Sequence, residues 1–236
     1  MSVLGHRLRA YVPLAGFDPL SISGLVMWID SNDAATFTYS SGVLVSQWND
    51  KSVSGRHVSQ GTTTKQPSRN TTSPTGKTTV AFSSARADWL TSAVITQAQP
   101  VTVFAHARYS NVDTSNHQIQ GNEGAGVPVL YTDSGVWKMY AGTPLSSVTT
   151  DDASWHYFTA VYNGASSSLR LDGSQIASGD AGSSGWSGQS WHIGEQGSGG
   201  GAPWDGDIAE VLVYNSVLST TDRAAVESYL LTKWGV

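Results

Sequence analysis

From Gly24 onward the chain repeats one pattern: short runs of Val, Ile, Thr, Tyr, Phe and Trp, each closed by a cluster of Gly, Ser, Asn or Asp. Runs of that kind suit pleated strands and the clusters supply turn residues, so the chain is confined to an antiparallel all-β architecture. Strands are expected over Leu25–Ile29, Val43–Trp48, Thr79–Phe82, Val101–Ala107, Val127–Tyr131, Val136–Ala141, His156–Tyr162, Ser168–Leu171, Ser190–Ile193 and Ile208–Tyr214, enough for two packed sheets. Asp172-Gly173 marks a two-residue hairpin, because both turn positions tolerate positive φ. Asn163-Gly164 and Asp133-Ser134-Gly135 read as further turns, and 197–203 as a loop. One segment has helical period. Ser219 with Asp222 approximates a capping box, Val226, Tyr229 and Leu230 recur at i, i+3 and i+4, and Gly235 stands where a C-terminal cap belongs.

A length of 236 residues allows one domain with a full core, and the lack of cysteine leaves neither disulfides nor a thiolate metal site. With 13% charged residues and a net charge of -5, the polar surface is neutral and hydroxyl-rich. No basic stripe interleaves with aromatics, which excludes the electrostatics of nucleic-acid binding. Met1–Leu20 is interrupted by Gly5, Pro13, Gly16 and Pro19, so neither a signal peptide nor membrane insertion is expected. Residues 1–23 carry Arg7, Arg9 and His6 against the single acid Asp18. They read as an N-terminal arm ahead of a sandwich over 24–236, with Arg7, Arg9, Tyr11 and Phe17 as its anchoring residues.

Three stretches carry a resemblance: 17–30 (FDPLSISGLVMWID), 45–52 (VSQWNDKS) and 206–219 (GDIAEVLVYNSVLS), the last running into a helix that ends Lys-Trp-Gly235. In this order they resemble the laminin-G-like, concanavalin A-like domains of bacteriophage and bacterial surface proteins. The resemblance implies a two-sheet antiparallel jelly-roll sandwich with a short C-terminal helix, its first and last strands paired. Trp28, Trp48 and Trp234 fall in framework motifs and are expected in the core. The strand Leu25–Ile29 is apolar on both faces, as a strand covered on both sides should be.

The same superfamily includes glycanases with a Glu-x-Asp-x-(x)-Glu strand, against which Asp205-Gly-Asp207-Ile-Ala-Glu210 is compared. A retaining pair needs two carboxyls about 5–5.5 Å apart on one face. In an unbulged strand Asp207 and Glu210 point to opposite faces, and Asp205 replaces the leading Glu, so no catalytic residue is expected. His6, His57, His106, His117, His156 and His192 show no zinc spacing, and His106 and His156 are expected to be packed strand residues. No Gly-x-Ser-x-Gly elbow occurs. Lectin relatives hold calcium at the sandwich rim; here Asp30, Asn32 and Asp33 form one oxygen-rich cluster, and Asp205 and Asp207 another. Trp186 and Trp204, in Ser/Gly-rich stretches, are the expected sugar-stacking rings, with Glu195 beside them.

The favoured functional expectation is a non-enzymatic bacteriophage virion protein, a capsid decoration or tail-associated adhesion component made in the host cytoplasm. Its partners would be other virion proteins and cell-surface glycans, and it would be oligomeric in the assembly. A freestanding carbohydrate-binding lectin-like module is the alternative, and a glycan hydrolase ranks third.

Overall fold

A computed structural model of the protein describes residues 16–110, 113–121, 127–195 and 201–236. Arg7, Arg9 and Tyr11 of the expected arm lie outside them. The strands in chain order are β1 (Leu25–Asp30), β2 (Phe37–Ser41), β3 (Leu44–Trp48), β4 (Val58–Ser59), β5 (Ser68–Thr72), β6 (Thr78–Phe82), β7 (Leu90–Gln97), β8 (Val101–Tyr109) and β9 (His117–Gly121), followed by β10 (Val129–Asp133), β11 (Val136–Tyr140), β12 (Pro144–Thr150), β13 (Trp155–Tyr162), β14 (Ser167–Leu171), β15 (Ser174–Gly179), β16 (Trp186–Ile193) and β17 (Gly206–Tyr214). The helix α1 spans Thr220–Trp234 and closes the chain.

All pairings are antiparallel and build two layers. In the first, β17 pairs with β8, β8 with β13, β13 with β14 and β14 with β15. The other edge of β17 is shared, by β1 along Glu210–Tyr214 and by β6 along Gly206–Ile208. The second layer runs β2, β3, β4, β7, β16, β9, β10, β11, β12. Strand β5 contacts both β3 and β6 and so links the layers. This is the jelly-roll sandwich that the resemblance implied, with β1 and β17 paired as it required.

The main core fills the space between the layers, with Met27, Trp48, Phe158, Trp191 and Val211 at its centre. A second apolar cluster, with Trp28, Phe104, Leu212, Leu230 and Trp234, lies between the outer face of the first layer and α1. Two apolar faces on β1 and β17 are thereby accounted for: one packs inward and one under the helix. Ser219 caps α1, its Oγ accepting from Asp222 N at 3.1 Å. Gly235, at φ 75°, ends the helix by donating its N–H to Leu231 O at 2.9 Å, and Lys233 in the last turn complements the helix dipole. The hairpin turn has Asp172 at φ 48° and Gly173 at φ 78°, as expected for a type I′ connection.

The set of strands and the arm boundary differ from expectation. The polar strands β4, β5, β9 and β12 carry little apolar signal of their own and neighbouring ladders make them strands, whereas β2 (FTYSS) and β7 (LTSAVITQ) hold aromatic and β-branched residues that themselves favour a strand. The arm does not end at residue 23. Phe17 packs on Tyr229 with ring centroids 5.6 Å apart, Pro19 is buried, and the Tyr214 hydroxyl donates to Pro19 O at 3.1 Å. Phe17 is thus part of the sandwich's helix-side cluster rather than an anchor held out for a partner. Among the described residues no helix is long and apolar enough to cross a membrane.

Candidate functional site

Strand β17 contains the carboxylates closest to a catalytic pattern, and its register is not regular. Ile208 pairs with Ala107 and Glu210 with His106, so two steps of β17 match one of β8 and Ala209 is the extra residue of a bulge. The bulge reverses the expectation for an unbulged strand. Asp207 and Glu210 both lie on the outer face of the first layer, where Arg108, opposite Asp207, spreads over the Trp155 ring and Glu210 sits under α1.

Both carboxylates are engaged by the chain's own donors. Glu210 is fully buried: Oε1 accepts from Trp28 Nε1 at 2.6 Å and from the Tyr229 hydroxyl at 2.7 Å, while Oε2 accepts from Trp234 Nε1 at 2.6 Å and Lys233 Nζ at 2.7 Å. Burial pushes its pKa up, against the pull of Lys233. Asp207 Oδ2 is held by Nε and Nη2 of Arg108, while Asp205 accepts the Ser84 N–H. These are fastenings: Glu210 ties the helix to β1 and β17.

The clusters expected for calcium are likewise answered by the chain's own donors. Lys51 Nζ lies 3.0 Å from Asp30 and 2.9 Å from Asp33, and Lys233 Nζ lies 2.8 Å from Asp30. The Lys51 ammonium holds the Asp33 carboxyl below its ordinary range. Asp205 and Asp207 turn to different partners. These residues do not fit a calcium ion, and among the described residues no three His, Cys, Asp or Glu gather as a metal site.

Trp186 and Trp204 are not sugar platforms either, because both are in the core. Trp186 is 1% exposed and stacks on Trp191 at 4.8 Å, while Trp204 is 0% exposed and packs on Tyr109 at 5.1 Å. Glu195 is fully buried as well. The framework residues Trp28, Trp48 and Trp234 are buried as expected. His106 and His156 are packed and hydrogen-bonded, also as expected. His106 stacks between Trp155 and Trp234, and its Nε2 lies 2.6 Å from Gly235 O. His156 joins Asp172 at 2.6 Å and Asp152 at 3.0 Å; burial lowers its pKa, but the two carboxylates outweigh it and the net shift is upward.

What remains is the outer face of the second layer. Successive cross-strand partners run Thr38, Gln47, Ser59, Thr91, His192 and Gly121 over six strands. Directly opposed residues share a face. The neighbouring row of Phe37, Trp48, Val58 and Ser92 turns inward, so the first row points out. At one end the half-buried Trp89 lies flat on His192, with rings 5.0 Å apart and 4° from parallel. Helix α1 covers the first layer, whereas this face presents the hydroxyl and amide groups of Thr38, Gln47, Ser59 and Thr91 beside the Trp89 indole, with His192 buried beneath that ring. Trp89 stands two residues before Thr91, so a period-two count would have placed both on one face; in the sequence it drew no attention.

A laminin-G family model described as the concanavalin A-like lectin/glucanases superfamily matches residues 83–222, more than half of the chain. Among solved structures, the sialidase of Trypanosoma rangeli in complex with sialic acid aligns at 17% identity with a TM-score of 0.61 over 90% of this chain. The chain spans 33% of that sialidase's length. The binding domain of Paraclostridial Mosquitocidal Protein 1 aligns at 12% identity and a TM-score of 0.63, covering 90% of this chain and 55% of that one. Domain 4 of AbnA, an extracellular arabinanase from Geobacillus stearothermophilus solved with arabinotriose, aligns at 9% identity and 0.58, covering 86% of this chain and 97% of that domain. At these identities the likeness is one of fold. No curated protein matches the sequence.

Proposed function

Because the chain belongs to the concanavalin A-like lectin/glucanases superfamily, we propose that it is a non-enzymatic glycan-binding sandwich whose ligand lies across the outer face of the second layer. The observation that carries this reading is the contrast between the two outer faces. One is apolar and closed by α1; the other carries an exposed polar strip over four strands, Thr38, Gln47, Ser59 and Thr91, with Trp89 at its end. Sugars present hydroxyls at their edges and C–H patches on their faces, so rows of hydroxyl and amide groups beside an aromatic ring suit them. The arabinanase domain solved with arabinotriose has this fold along nearly its whole length, which supports the class of ligand. The fastening of Glu210 by four donors supports the non-enzymatic half.

The test is retention of the chain on immobilised neutral and acidic polysaccharides. Trp89→Ala should weaken binding about tenfold, the upper end of a lost ring contact, compared at a temperature below the unfolding transition of both proteins, and Thr91→Ala, at a half-exposed strip position, should weaken it without unfolding the chain. Undiminished binding in Trp89→Ala would refute the strip, and release of reducing ends that vanishes in Glu210→Gln would refute the non-enzymatic reading. The finer setting proposed is display on a bacteriophage particle, in contact with other virion proteins through the segment that holds Arg7 and Arg9. Its support is the resemblance and the charge contrast between that segment and the acidic remainder.

A further inference from the structure

We infer that the chain has a second ligand site, for a neutral polyhydroxylated molecule such as a short uncharged oligosaccharide, in a depression where three turns meet at one end of the sandwich. The turns are 141–143 after β11, 164–166 after β13 and 180–184 between β15 and β16. Together they border an open depression of about 430 Å³, in the roughly 300–1,000 Å³ range of small-molecule sites. None of these residues belongs to the polar strip, so either site can fail without the other.

The turns are fixed by bonds among themselves. Ala181 O accepts from Ala141 N at 2.6 Å and Thr143 N at 3.1 Å, and Ser184 N donates to Ala141 O at 3.0 Å. Gln99 clips the other side. Its Nε2 donates to Gly182 O at 3.0 Å and Ser184 O at 2.7 Å, and its Oε1 accepts from Gly164 N at 2.8 Å. Gly182 makes the closure feasible: it sits at φ +88°, and a Cβ there would fall 2.1 Å from Ala141 O. A site held in shape before its ligand arrives loses less conformational entropy on binding.

The lining selects the ligand. Around small residues stand the side chains of Thr143, Asp180, Ser183 and Ser184, and the lining contains neither an aromatic ring nor a Lys or Arg. Asp180 Oδ1 already accepts from Gly182 N at 2.8 Å, which orients the carboxylate and leaves Oδ2 to accept from a ligand hydroxyl. Small residues admit a ligand close to the backbone. An acidic sugar would meet the Asp180 charge with no cation to offset it, so a sialylated glycan is disfavoured here.

Amide NMR of the full ¹⁵N-labelled chain, titrated with arabinotriose, lactose and sialyllactose as probes, tests the assignment. A neutral probe should shift the amides of Gly142, Gly164 and Gly182, and should do so equally in Trp89→Ala. Ala165→Trp, at an exposed turn position on the lining, should abolish those shifts while leaving the spectrum of the core intact, and Asp180→Asn should weaken them about tenfold, as expected for loss of one charge-assisted hydrogen bond. The inference is overturned if neither neutral probe moves those amides at millimolar concentration, if Ala165→Trp leaves the shifts in place, or if sialyllactose binds there as well as the neutral probes.

Discussion

Replacing Glu210 with Gln should destabilise the protein by about 3 kcal/mol, the lower end of the range for breaking a buried ion pair. The side chain keeps its shape but loses its charge, and one of its two oxygens becomes an amide that donates. Whichever way the amide is placed, two donors lose their acceptor: Lys233 and Trp234 on one side, or Trp28 and Tyr229 on the other. Each buried donor left unpaired costs roughly 1–3 kcal/mol. The loss stays at the low end because Lys233 keeps Asp30 at 2.8 Å and the Tyr229 hydroxyl can rotate to accept. For a chain of this length 3 kcal/mol lowers Tm by about 6–12 °C, measured by calorimetry and by urea unfolding followed through Trp fluorescence. Glu210→Gln with Lys233→Met should be less damaging than the sum of the two single changes, because both act on one buried pair. A loss under about 1 kcal/mol, or additive single effects, would refute the view of Glu210 as the fastening between helix and sheet.

Deletion of residues 1–15 should leave the cooperative unfolding transition in place, whereas deletion through residue 23 should cost roughly 2–4 kcal/mol by stripping Phe17 and Pro19 from the helix-side cluster; equal stability of the two truncations would contradict the packed position of Phe17. His106, whose imidazole burial pushes down to about 4, is neutral when folded while the unfolded chain protonates near 6.5, so its contribution is present above about pH 6.5 and is lost as pH falls toward 4. The stability difference between the wild type and His106→Gln should therefore shrink by about 2–3 kcal/mol from pH 7.5 to 4.5, and a difference constant with pH would show that the ring is not buried in its neutral form. The proposed display on a bacteriophage particle predicts that, on particles lacking this chain, the 1–15 deletion is incorporated less than the full-length chain; equal incorporation would refute attachment through that segment.

The fold was legible in the sequence because its determinants are local. β-branched and aromatic runs between turn residues specify strands, Asp172-Gly173 specifies a hairpin, and Ser219 and Gly235 bracket a helix; none of these needs a distant partner. The two-faced apolarity of Leu25–Ile29 even implied the covering layer that proved to be α1. The polar strands β9 and β12 were invisible because hydroxyl and amide residues become strand only when a neighbouring ladder takes their N–H and C=O groups. The site depended on tertiary structure almost entirely. Trp186 and Trp204 looked like loop aromatics beside Ser and Gly, yet the chain folds both into the core, and Trp89 emerged against His192, 103 positions further along the chain. One inserted residue at Ala209 moved Glu210 onto the face of Asp207, and Lys51 and Lys233 claimed the cluster of Asp30 and Asp33 that sequence spacing had offered to calcium. Turn and strand propensities act over a few residues, while the partner of a buried charge or ring is chosen by where the folded chain brings distant segments together.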